Sequence, residues 1–260
     1  MSQNQYPYET PRPVTPATPL NPALPGAPLA PGVAATPAAL GVVPDARLQA
    51  AFLQQAFMWM FLGLLVTAGV AAIVQGNEKL LSFANSFYFL LLIGQLAIVV
   101  GITAAIRGIS ATAALGLFFV YAASLGITIG LIVSFYTTGS VATAFVSASA
   151  MFGAAAVYGA VTRRSLANLG GYLAMGLFGL LAALFVNLFV GSSTLDFIIS
   201  IGGVVLFTAL TAYNVQSIQQ GAIAAATGSM EKAAVIGALL LYLSFINLFL
   251  FMLRLLGGRN

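Results

Sequence analysis

The stretch ALLLYLSFINLFLFMLRLLG, residues 238–257, decides the fold class. Its single charged side chain is Arg254, and residues 233–253 carry no charge at all. A helix needs about 20 apolar residues to cross a hydrocarbon core roughly 30 Å thick. This stretch therefore predicts one transmembrane helix near the end of the chain.

The composition of the whole chain agrees with that reading. The 260 residues are 60% hydrophobic and only 5% charged. An ordinary soluble domain carries about 25% charged residues, and a soluble protein this apolar would lack the polar groups to cover its surface. The sequence predicts an all-α integral membrane protein, since a backbone in lipid must satisfy its own hydrogen bonds.

Charged residues divide the chain into spans. Between Phe52 and Leu256 there are only nine, and the long uncharged stretch 108–162 is split by the polar break at 137–140. The count is seven helices. We predict spans near residues 52–74, 86–106, 113–135, 141–161, 171–190, 197–218 and 233–256. In the third span Ala122, Gly126 and Gly130 recur every four residues, a spacing that favours close packing of helices in a bundle.

The first 45 residues have a different character. All eleven prolines lie in residues 1–44, and the segment shows no helical or strand period. Proline blocks helix continuation, so we predict a disordered Pro-rich tail at 1–45 ahead of a transmembrane domain at 46–260. The tail has no signal-peptide pattern. We interpret it as a solvated tether, and its repeated PxxP spacing leaves a Pro-binding partner as the alternative.

The basic residues predict an orientation. The loops on the N-terminal side of the membrane collect six Lys and Arg residues, against three on the other side. Cytoplasmic loops carry the excess of Lys and Arg. We therefore expect a cytoplasmic N-terminus and, after seven spans, an external C-terminus.

Several classes of function are excluded by residue types. The chain has no His and no Cys, no HExxH or GxSxG motif, and no Asp or Glu inside a predicted span. These absences remove disulfides, cysteine-based zinc sites, and intramembrane metalloproteases and aspartyl proteases. We expect no enzyme, no cofactor and no metal site built on these residues, and a lipid bilayer rather than nucleic acid as the partner.

Polar side chains inside the spans are the remaining candidates for function. Polar groups in a membrane are costly and usually face a bundle interior or a water-filled cavity. The candidates for an ion path or for contacts between helices are Gln95, Asn187, Asn214, Gln216, Ser244 and Asn247, together with Arg107 at the end of the second span. The alternative for each is an interhelical hydrogen bond worth about 1 kcal/mol or less. Gln219 and Gln220 are interpreted as a helix end that meets water.

Three segments together carry a resemblance to a known family. They are MFGAAAVYGAVTRRSLANLG at 151–170, LTAYNVQSI at 210–218 and ALLLYLSFINLFLFMLRLLG at 238–257, with FMWMFLGLLVTAGVAA at 57–72 and VNLF at 186–189 in support. The chain resembles the Bax inhibitor family, the transmembrane Bax-inhibitor-motif proteins, in its bacterial YccA-like branch. The similarity covers about residues 46–258.

The resemblance implies a fold and a set of functions. The fold is a seven-helix bundle with the last helix at its centre. Members are associated with pH-sensitive calcium leak and with suppression of stress-induced death. In bacteria they are also associated with modulation of a membrane-bound ATP-dependent protease. The bacterial branch further implies the cytoplasmic (inner) membrane.

At two positions the chain departs from the family pattern. The family's proposed ion and proton site pairs an Asp on the sixth span with an Asp on the seventh, and here those positions hold Asn214 and Ser244. In relatives Arg107 would be the partner of such carboxylates. Two nearby carboxylates share a proton and titrate as a coupled pair, which Asn and Ser do not.

Two hypotheses follow from this departure. The first is a leak channel for calcium ions or protons without the usual acid-pair gating. The second is a non-conducting regulator that binds another membrane protein, such as a membrane-bound protease.

Overall fold

The structure is a computed structural model that describes residues 46–258, with side chains from residue 50. The tail predicted at 1–45 lies outside the described residues. In the described part the chain forms nine α-helices and one short 3-10 turn at Ala167–Leu169. The helices are α1 (Ala46–Gln75), α2 (Glu78–Ser86), α3 (Tyr88–Ala105), α4 (Ala111–Val133), α5 (Thr138–Val161), α6 (Gly170–Val190), α7 (Ser193–Gln219), α8 (Ala222–Thr227) and α9 (Met230–Leu256).

Seven of these helices are long and apolar enough to cross a membrane: α1, α3, α4, α5, α6, α7 and α9. No β-strand occurs in residues 46–258. The predicted fold class is therefore confirmed, and the two remaining helices are short additions at the ends of the bundle.

Some helices begin earlier than the charge pattern predicts. α7 begins at Ser193 rather than near 197, and α9 begins at Met230 rather than near 233. The prediction ended each span at the nearest charge, but Asp196 and Glu231 lie in the first turns of these helices. An acidic side chain is stabilising there because it faces the positive end of the helix dipole. Serines 192 and 229 then cap the two helices through their side-chain oxygens.

The short helices α2 and α8 were not predicted. Asn77 caps α2 by accepting hydrogen bonds from the backbone N–H groups of Lys79 and Leu80. α8 is bounded by Gly221 and Gly228, which have φ angles of 70° and 77°. Glycine adopts this left-handed conformation without the steric cost that other residues have. The two glycines therefore let the chain fold a single short helix between α7 and α9.

α9 lies at the centre of the bundle, as the resemblance implies. It packs against α1, α4, α5, α7 and α8, and 78% of its most apolar window is buried. Tyr242 is fully buried and makes edge-to-face contacts with the rings of Phe118 and Tyr121. α6 is the opposite case, since it packs mainly on α7 and has no buried residue. In a bilayer its apolar surface faces lipid.

Glycines let the outer helices approach closely. A Cβ atom at Gly126 would lie 2.8 Å from the carbonyl oxygen of Thr67, and one at Gly130 would lie 2.9 Å from that of Ala71. The backbones of α4 and α1 are therefore in direct contact at the small residues that the sequence spaces four apart.

Candidate functional site

Asn214 of α7 and Ser244 of α9 lie side by side inside the bundle. Both are buried, with exposed fractions of 6% and 2%. The Asn214 Nδ2 donates a hydrogen bond to the Ser244 Oγ at 3.2 Å, and that hydroxyl donates to the carbonyl oxygen of Leu240 at 2.9 Å. The pair joins the two helices through neutral groups, neither of which changes charge near neutral pH.

Asn214 also lines a cavity of about 440 Å³ between α3, α7, α8 and α9. Its volume falls within the range of roughly 300–1,000 Å³ that is typical of ligand pockets. The polar lining residues are Thr103, Arg107, Tyr213, Asn214, Ser217 and Thr227. We call this space the basic-end cavity, because it lies at the end of the bundle that carries Arg107, Arg163, Arg164 and Lys232.

Arg107 is held at this cavity by the helices around it. It follows α3, and its Nε donates a hydrogen bond to the carbonyl oxygen of Ala226 in α8 at 3.0 Å. Its own carbonyl oxygen accepts a hydrogen bond from the Nζ of Lys232 at 3.0 Å. α8 therefore supplies the side-chain partner of Arg107.

The cavity contains a positive charge and no carboxylate among its lining residues. In residues 46–258 there is no group of three or more His, Cys, Asp or Glu side chains that could hold a metal ion. The ion pair found in those residues joins Asp196 and Arg254 at 3.2 Å, at the opposite end of the bundle. The site can therefore offer hydrogen bonds and positive charge, but not a set of acidic ligands.

Two of the other predicted polar residues, Gln216 and Gln95, make structural contacts between elements. Gln216 is buried and holds the loop before α6, where its Oε1 accepts from the Leu166 N–H at 2.6 Å and its Nε2 donates to the Arg164 carbonyl at 2.9 Å. Gln95 joins α3 to α4 by donating to the Thr128 Oγ1 at 2.7 Å. These two side chains are contacts between elements and do not line the basic-end cavity.

Asn187 and Asn247 also bond within their own neighbourhood. Asn187 accepts a hydrogen bond from the Ser192 N–H at 3.1 Å, which holds the turn between α6 and α7. Asn247 donates to the carbonyl oxygen of Leu243 in its own helix at 2.8 Å. The structure thus brings together Asn214, Ser244 and Arg107, and places the other four candidates apart from them.

One buried polar cluster was missed by the sequence reasoning. The hydroxyl oxygens of Thr67 in α1 and Tyr242 lie 2.6 Å apart in a hydrogen bond, and the Thr67 Oγ1 also lies within hydrogen-bond distance of the Gly63 and Ala122 carbonyl oxygens. A buried tyrosine hydroxyl usually finds a partner, and that rule is the signal available in the sequence. Thr67 lines a second cavity, of about 460 Å³, together with Phe249.

The two cavities lie on opposite faces of α9. Leu240 lines the basic-end cavity and Phe249 lines the second one. Nine residues are about two and a half helical turns, so these side chains point in opposite directions. α9 therefore separates the two cavities, and the Asn214–Ser244 bond lies on the face toward the basic-end cavity.

Comparison with known proteins decides the family. The model of the family described as "Inhibitor of apoptosis-promoting Bax1" matches residues 49–260. The chain belongs to the Bax inhibitor family. A Bax inhibitor relative, the inner membrane protein YbhL of Escherichia coli, is 38% identical over 84% of this chain and 96% of its own length.

Two further bacterial relatives match at a similar level. An uncharacterized protein of Borreliella burgdorferi is 41% identical over 80% of this chain and 92% of its own length. One of Deinococcus radiodurans is 39% identical over 80% of this chain and 91% of its own length. The Bax inhibitor similarity thus covers the transmembrane bundle that contains the site.

Proposed function

We propose that the protein is an ion-leak member of the Bax inhibitor family whose path for calcium ions or protons does not respond to pH. The observation that carries this proposal is the hydrogen bond between Asn214 and Ser244. Asn214 lines the basic-end cavity, and its amide donates to Ser244 of α9. In this proposal, α7 and α9 separate at this pair when an ion passes beyond the cavity.

The chemistry of the pair supports a path that does not respond to pH. Two carboxylates at these positions would share a proton, and the second ionisation would push α7 and α9 apart. An amide and a hydroxyl keep the same charge between pH 6 and 8. The free-energy difference between the joined and separated helices is then independent of pH over this range.

A second candidate function is a non-conducting regulator of another membrane protein, such as a membrane-bound ATP-dependent protease. Arg107 favours it, because the charged side chain lining the cavity is a cation. Calcium prefers several oxygen ligands, usually with carboxylates among them. A positive cavity without carboxylates would repel calcium rather than admit it.

Calcium flux into liposomes separates the two candidates. The purified protein is reconstituted with a calcium dye inside the vesicles, and flux is measured from pH 6 to pH 8. The variant Asn214→Asp/Ser244→Asp restores two carboxylates at the pair. The control Asn187→Asp/Ser192→Asp adds two carboxylates at the α6–α7 turn, where the residues also lie in contact.

We expect a weak flux that is the same across the pH range in the original protein. The Asn214→Asp/Ser244→Asp variant should gain pH dependence and the control should not. A strong pH dependence in the original protein would contradict the proposal. No flux above protein-free vesicles at any pH would reject the leak and favour the regulator.

We further propose that the protein resides in the bacterial cytoplasmic membrane with its N-terminus in the cytoplasm. The excess of Lys and Arg in the loops of the basic end supports this orientation, and the relative YbhL is an inner membrane protein. An alkaline phosphatase fusion at the C-terminus should be active, since that enzyme needs an external location. If the phosphatase fusion is inactive and a cytoplasmic reporter fused at the same C-terminus is fluorescent, the protein has the opposite orientation.

A further inference from the structure

The basic end of the bundle has unpaired positive charge at the cavity. Arg107 and Lys232 meet there through a hydrogen bond that involves no carboxylate. Asp196 is occupied at the opposite end of the bundle with Arg254. Glu231 precedes Lys232 in sequence, but it lies nine residues before the lining residue Leu240, which is about two and a half turns. Its side chain therefore leaves α9 on the face away from the cavity.

The guanidinium group of Arg107 is exposed, makes one hydrogen bond and is only partly used. The bond from its Nε to Ala226 orients the plane of the group. Its two terminal nitrogens have no hydrogen-bond partner within residues 46–258. A planar guanidinium with free terminal N–H groups matches the geometry of a phosphate better than an ammonium group does.

The remaining polar groups of the cavity add hydrogen-bond donors. The hydroxyl protons of Thr103 and Thr227 are engaged by backbone carbonyls. Ser217 has no such bond in the described part of the chain, and Asn214 keeps a second amide N–H beside the one given to Ser244. The free donors at the cavity therefore point to an anionic ligand.

The position of the cavity in the membrane supplies two sources of such a ligand. It lies near the ends of α3 and α7 and in the first part of α9, and the ends of spanning helices reach the interface between lipid and water. Apolar residues such as Ile106, Ile223 and Leu240 form much of its wall. Basic pockets between transmembrane helices at this level bind phosphate-bearing lipid head groups, and a free phosphate ion has access from the water.

We propose that the basic-end cavity binds a phosphate group, with Arg107 as its main ligand and Ser217 and Asn214 as further donors. The bond to Ala226 pre-orients the guanidinium, so α8 is the element that builds the site. The proposal does not rest on ion conduction, because a non-conducting protein would bind the same group.

The test compares Arg107→Gln with a matched control, Arg163→Gln. Both variants remove one positive charge from the same end of the bundle, but Arg163 does not line the cavity. Protein in detergent is offered phosphatidylglycerol or phosphatidylcholine at equal concentration, and bound lipid is counted by native mass spectrometry. In a second arm, phosphatidylglycerol binding is measured after inorganic phosphate is added. The control receives sodium chloride at the same ionic strength.

We expect the original protein and Arg163→Gln to prefer phosphatidylglycerol. Arg107→Gln should bind this lipid roughly fivefold more weakly, because one basic residue near an anionic surface contributes about that factor in affinity. Competition by inorganic phosphate would identify a free phosphate as a ligand; its absence would identify the lipid head group. Equal losses in the two Arg variants would overturn the proposal. It would also be overturned if the original protein bound phosphatidylglycerol no better than phosphatidylcholine and inorganic phosphate did not compete.

A second variant keeps the test valid if Arg107→Gln does not fold. Ser217→Leu fills part of the cavity with apolar volume and breaks no hydrogen bond in residues 46–258. We expect it to weaken phosphatidylglycerol binding while leaving Arg107 in place. Unchanged binding in Ser217→Leu would place the ligand elsewhere and overturn the proposal.

Discussion

Gly159 of α5 is the position where a single added methyl group should do most damage to the packing. A Cβ atom there would lie 2.9 Å from both the carbonyl carbon and the Cα of Ala212 in α7, and closer still to that carbonyl oxygen. Ordinary contact begins near 3.4 Å, so the two backbones must separate by at least about 0.5 Å. No side chain can move aside, because the obstructing atoms are backbone.

The expected cost follows from this geometry. Overpacking a close contact typically costs about 1–3 kcal/mol. We place Gly159→Ala at about 2 kcal/mol of net destabilisation, after the gain in helix propensity. Gly153 of the same helix is the matched control, since a Cβ atom there would meet nothing within 4 Å. Gly153→Ala should be neutral, or stabilising by up to about 1 kcal/mol.

Thermal unfolding in detergent measures the difference. Samples are heated, and the fraction that still elutes as folded protein is followed by size-exclusion chromatography. A gap of about 2–3 kcal/mol corresponds to roughly 5–10 °C between the two variants for a chain of this size. If Gly159→Ala is as stable as Gly153→Ala, the direct contact between α5 and α7 is absent and the reasoning is refuted.

Two further substitutions test the polar contacts. Tyr242→Phe removes the hydrogen bond to Thr67 and should cost about 0.6 kcal/mol, and at most about 1.7, measured as a small drop in the same melting assay. Gln216→Leu leaves two backbone groups of the α5–α6 loop unpaired at about 1–3 kcal/mol. It should speed trypsin cleavage after Arg164, whereas Gln219→Leu should not; equal rates would contradict the role of Gln216.

The number and type of the long helices were predictable from the sequence. Each contains a long uncharged apolar stretch that has no alternative to a helix in lipid. α7 and α9 begin three or four residues before the predicted spans, because the charge pattern starts those spans only after Asp196 and after the Glu231–Lys232 pair. A charge marks the edge of the hydrocarbon region, whereas a helix continues into the interface until its cap.

The site was predictable only in part. The sequence singles out Asn214 and Ser244 as polar residues inside two spans, and in the structure the Asn214 Nδ2 lies 3.2 Å from the Ser244 Oγ. The position of Arg107 was not readable, because it depends on α8. The sequence of that helix, AIAAAT at 222–227, is too short to give a helical period, and its two flanking glycines are typical of a loop. Long-range partners such as Ala226 appear only when the chain is folded.

The neutral pair and the positive cavity are linked through one residue, because Asn214 bonds Ser244 and also lines the cavity beside Arg107. With Asp at 214, the cavity would hold a carboxylate beside Arg107, and the guanidinium would have a partner inside the protein. With Asn at 214, the guanidinium keeps its terminal nitrogens for a ligand from outside. Asn214→Asp should therefore weaken phosphatidylglycerol binding in the native mass spectrometry assay, although it leaves Arg107 and α8 intact. Unchanged binding in that variant would show that the charge at 214 and the ligand of Arg107 are independent, and the two proposals would then have to stand separately.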